Sequence, residues 1–143
     1  MPKTKQTNAA TRLKRCNRIL GGVILLMLAS GIQLEATSAI YPWSVWLHIL
    51  LGILLSALSF YHIFLHYRRS NWFARFAKNR NTVTRILWWV SLLTAITGIA
   101  ATAIWLDHNH HSHLGAVHGK IGFLMILLAI IHFLRKKKAP ARH

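Results

Sequence analysis

Four apolar segments of near-membrane length, separated by blocks of positive charge, constrain this chain more than any other feature. They run over roughly 18–35, 43–66, 85–106 and 115–134. About 20 apolar residues at 1.5 Å rise cross a hydrocarbon core of about 30 Å. Between and beyond them stand the basic residues: six in 1–18, six in 67–85 and five in 135–143, with Lys120 alone elsewhere. A net charge of +16 in 143 residues would suit a nucleic-acid binder if it were spread over one soluble face. Interleaved with four spans it reads as topology, and no nucleic acid is expected as a partner.

Orientation follows from the Lys and Arg bias of the short loops. Seventeen of the 18 basic residues fall on one side, and both acidic residues, Glu35 and Asp107, on the other. Both termini and the central loop are therefore expected in the cytoplasm, in a multi-pass protein of the bacterial inner membrane. Trp43, Trp46 and Trp105 mark the outer interface, and Trp72, Trp88 and Trp89 the inner one. The first span follows a basic stretch as a signal peptide would, but only a weak small-residue cleavage pattern succeeds it, so it is read as retained. Residues 1–17 and 135–143 are basic cytoplasmic segments flanking one membrane domain, 18–134, and lipid is the first expected partner.

The spans repeat. Arg18, Ile19, Leu20, Val23, Leu25, Leu26, Ser30, Gly31 and Ile32 align at an offset of 67 with Arg85, Ile86, Leu87, Val90, Leu92, Leu93, Thr97, Gly98 and Ile99. Spans two and four align at an offset of 70, where His48, Gly52, His62 is answered by His118, Gly122, His132. The expected fold is all-α: an up-down-up-down four-helix transmembrane bundle built from a duplicated helical hairpin.

In each triplet the glycine lies about 40° to one side of the first histidine and the second histidine about 40° to the other, so all three share one helix face. Spans two and four run parallel in this topology. His48 then stands level with His118 near the outer surface, and His62 with His132 about 21 Å deeper. Imidazoles in lipid are costly unless partnered. An iron porphyrin would accept Nε2 of each as an axial ligand while Nδ1–H bonds a carbonyl one turn earlier in the same helix, with the Ser44 hydroxyl a further partner for His48. Two bis-histidine haems b are expected. Gly52 and Gly122 would clear the approach of a flat ring, and Gly31 and Gly98 the ring edges. A zinc or proton site would ordinarily recruit Asp, Glu or Cys, which these spans lack.

With these residues in place the chain resembles the haem-bearing four-helix bundle of cytochrome b in quinol-oxidising cytochrome bc complexes, and the small bacterial di-haem membrane cytochromes. The similarity covers nearly the whole chain. It implies axial ligation by His48, His62, His118 and His132, and single-electron exchange with a quinone. The Pro-Glu-Trp-Tyr segment of the larger complexes has no counterpart here.

His66 has three readings: an alternative ligand, a contact to a haem propionate or quinone head group, or an interfacial histidine. Lys120 either pairs with an outer propionate or snorkels to the surface. The four histidines in 107–113 make either a weak metal-binding cluster or a solvated loop. Cys16 is expected to be an inert thiol, since a lone cysteine forms no internal disulfide and no CxxCH is present. No GxGxxG supports nucleotide binding. Three functions remain in play: an electron-transfer subunit serving a partner protein, a self-contained oxidoreductase acting from quinone on superoxide or ferric iron, and a haem-free metal-handling or scaffold protein.

Overall fold

The computed structural model describes the backbone of residues 3–38, 40–67, 82–108 and 113–138, and the side chains of 11–38, 40–65, 82–107 and 113–135. The protein is all-α, and the described residues form four helices: α1 (Lys3–Ala36), α2 (Pro42–Tyr67), α3 (Thr82–His108) and α4 (His113–Lys138). Each contains a stretch long and apolar enough to cross a membrane, and the chain is a multi-pass membrane protein. It divides into two compact units, Met1–Lys78 and Asn79–His143, each a helical hairpin in which α1 packs on α2 or α3 on α4.

Helix α1 begins 15 residues before the first expected span. Hydropathy marks where lipid starts, whereas a helix runs until something stops it. Residues 3–18 contain no Pro or Gly and are rich in Lys, Arg, Ala and Gln, all good helix formers. The stop comes at the other end. Thr37 N–H still reaches Gln33 O at 2.9 Å, and Ser38 then adopts φ 47°, a left-handed conformation that reverses the chain. Pro42 opens α2, where a missing N–H costs nothing. The Ser44 hydroxyl donates to Tyr41 O at 2.7 Å, so its proton goes to the turn that precedes α2.

In the first hairpin the contact face of α1 carries Cys16, Val23 and Ser30, all buried and spaced by seven. That spacing is the seam of a left-handed helix pair, and small side chains on it let the backbones approach. From α2, Ser44, Val45 and Leu55 are buried. The free thiol of Cys16 is thus a small residue of the helix seam. In the second hairpin Thr94 and Ile126 are buried. Most large apolar side chains face outward, Leu25, Ile53, Phe64, Ile99 and Phe123 each more than half exposed, as suits surfaces meeting lipid or other helices.

Candidate functional site

Within each hairpin the histidine nearer the interhelical turn is held by the neighbouring helix. His48 on α2 has Nδ1 at 2.8 Å from Ser30 Oγ on α1. His118 on α4 has Nδ1 at 3.1 Å from Thr94 O and 3.3 Å from Thr97 Oγ1 on α3. Ser30 and Thr97 are the paired residues of the repeat. These are hydrogen bonds between helices, a kind of partner not expected from sequence.

The partners bear on the protonation of the rings. The Ser30 hydroxyl reaches Met27 O at 3.1 Å and His48 Nδ1 at 2.8 Å; when it donates to the carbonyl, its oxygen accepts from His48 Nδ1–H. Thr97 donates to Leu93 O at 2.9 Å or Thr94 O at 3.1 Å, so its oxygen too is an acceptor. A carbonyl such as Thr94 O can only accept, which again places the proton on His118 Nδ1. A neutral imidazole protonated at Nδ1 carries its lone pair on Nε2. The neutral His118 ring is set in the tautomer that a metal ligand uses, and Ser30 accommodates the same tautomer at His48.

The glycines complete this arrangement. A methyl group placed on Gly31 would lie 3.6 Å from His48 Cε1, an ordinary contact. On Gly98 it would lie 2.9 Å from His118 Cε1 and 3.3 Å from Nδ1, closer than a side chain tolerates. Gly31 and Gly98 therefore meet the imidazoles themselves. Gly52 faces Met27 Cε at 3.9 Å and Gly122 faces Thr94 Cγ2 at 3.8 Å, measured from the position a Cβ would take. Met27 and Thr94 are again repeat equivalents. The two hairpins share one pairing register, residue for residue.

Farther from the turn, Thr84 Oγ1 on α3 lies 3.3 Å from His132 Nδ1 on α4. The repeat equivalents are Asn17 and His62, and the His62 ring is half-buried. The hydroxyls of Ser91 and Thr94 are used on carbonyls of their own helix, Leu87 O and Val90 O, both at 2.7 Å. Lys120 is exposed and stands about 200° around α4 from His118, a position that suits snorkelling. His66 belongs to α2, but its side chain lies outside the described residues, as do 109–112 of the histidine-rich loop. Among the described residues no three or more His, Cys, Asp or Glu side chains gather as a metal site.

Sequence reasoning located the histidines and glycines but missed the roles of Ser30 and Thr97 as their partners. The signal was present in the repeat, where a hydroxyl residue directly precedes the glycine both times. One consequence separates the hairpins. Ser30→Ala removes a hydroxyl 2.8 Å from His48 Nδ1, whereas Thr97→Val leaves His118 its bond to Thr94 O. If these rings ligate metal, the first change is expected to weaken the affinity of its site roughly 10–100-fold and the second by only a few-fold, measured by haem titration of the purified variants.

Comparison with protein-family models, with curated proteins and with solved structures yields no match to this chain.

Proposed function

We propose that this protein is a di-haem b-type membrane cytochrome that carries single electrons between the quinone pool and a partner protein or acceptor. The observation that supports it most is the paired setting of His48 and His118. In both hairpins the ring is bonded through Nδ1 to the neighbouring helix and is backed by a glycine, an arrangement that lets Nε2 present its lone pair. A structural histidine needs a hydrogen bond, but it has no need of the same glycine and the same register twice.

In this reading both termini lie in the cytoplasm of a bacterial cell. His48 and His118 hold one haem near the outer surface, and His62 and His132 hold another about 21 Å deeper. The bound groups supply reversible one-electron chemistry at iron. The chain's residues do the rest. Ser30, Thr97 and the Thr94 carbonyl orient the ligands and raise their basicity through Nδ1–H. The apolar helices exclude water and lower the local dielectric, so charge at each centre is governed by fixed dipoles. Ligation by two imidazoles leaves no open position on iron, which favours electron transfer over binding of oxygen.

The test is a reduced-minus-oxidised spectrum of the purified protein on adding a quinol analogue, followed by superoxide or a ferric chelate. Low-spin b-haem bands that appear with quinol support the reading. Reoxidation by either small acceptor alone assigns a self-contained oxidoreductase; persistence of the reduced bands assigns an electron-transfer subunit. Protein lacking such bands would leave the haem-free alternative.

A further inference from the structure

At the turn-distal end of the first hairpin, α1 and α2 enclose a groove of about 250 Å³ lined by Arg12, Arg15, Cys16, Ile19, Leu58 and Tyr61. Its lining is both basic and apolar. Arg12 and Arg15, three apart on α1, share a helix face. Ile19, one turn farther along α1, and Leu58 of α2 add apolar surface, and Tyr61 a ring with a hydroxyl tip. Cys16, also in the lining, is buried.

The charge has no answer within this hairpin. The acidic residue of α1 and α2 is Glu35, 20 residues beyond Arg15 and therefore about 30 Å along the helix. The arginines stand just ahead of the apolar stretch that begins near residue 18, the depth at which lipid phosphates lie. Basic pockets between membrane helices at that depth are suited to anionic head groups, and a guanidinium fork matches phosphate oxygens two at a time.

We propose that this groove binds an anionic phospholipid, its phosphate held by Arg12 and Arg15 and the start of an acyl chain laid against Ile19 and Leu58. The site is distinct from general attraction of a basic terminus to the membrane, because two neighbouring cations, Lys14 and Arg18, do not line it. It is independent of whether the histidines hold haem.

Native mass spectrometry of the full chain, released from nanodiscs of equal phosphatidylglycerol and phosphatidylcholine, tests this. The expected result is one retained phosphatidylglycerol per chain, with retention falling about tenfold or more in R12Q/R15Q and little in K14Q/R18Q, which removes the same charge outside the groove. Equal retention of the two lipids by the wild type would overturn the proposal. So would equal losses in the two double variants. Complete displacement of the lipid by millimolar inorganic phosphate would assign a free-anion site instead.

Discussion

If the chain holds two haems as proposed, replacing His118 or His48 with alanine is expected to halve the haem content of the purified protein and to leave the remaining haem low-spin. His62→Ala and His132→Ala should remove the other. The independence of the two losses follows from helix geometry: 14 residues separate the levels by about 21 Å, beyond the range at which substitutions ordinarily couple. The signature is the partner rule. His48→Ala and His118→Ala must abolish the same spectral species, although the two residues belong to different hairpins. Pyridine haemochrome analysis with low-temperature difference spectra checks this, and four variants that each retain two haems would remove the basis of the ligand assignment.

A second large effect is expected at a residue that ligates nothing. In Gly98→Ala the new methyl group would lie 2.9 Å from His118 Cε1, inside contact distance. The ring cannot step back freely, because its Nδ1 is held by Thr94 O at 3.1 Å and Thr97 Oγ1 at 3.3 Å. Overpacking of this kind costs about 1–3 kcal/mol. Gly31→Ala is the matched control, for its methyl group meets His48 at 3.6 Å and fits. Gly98→Ala should therefore lower the thermal stability of the purified protein and displace the His118 ring enough to strip the site it serves, while Gly31→Ala leaves both near wild type. Equal responses of the two glycine variants, in melting temperature and in haem content, would show that the tighter approach at Gly98 has no functional weight.

The all-α fold was legible because membrane helices announce themselves twice, through apolar length and through the cations that bracket them. Their ends were less legible. The start of α1 at Lys3 could not be read from hydropathy, since nothing in the basic stretch breaks a helix. The end of α1 depended on Ser38 entering the left-handed region, which a serine seldom signals.

The candidate site divides in the same way. Spacing within one helix put His48, Gly52 and His62 on a common face, since a period of 3.6 residues is a property of a single segment. The partners of the histidines lie across a helix pair, and their identity depends on register. That is why a carbonyl one turn back in α2, with the Ser44 hydroxyl beside it, is the partner expected from sequence, while Ser30, 18 residues away, lies 2.8 Å from the ring. The repeat held the missing information: Ser30-Gly31 and Thr97-Gly98 are aligned pairs, and each proves to face the first histidine of its hairpin.

Ligation of two haems by four histidines on α2 and α4 is tested by the haem-to-protein ratio of the wild-type chain together with its EPR spectrum. Two haems b per chain, both low-spin with bis-imidazole signals, are expected. A ratio near zero, or a high-spin centre with a single histidine ligand, would contradict it.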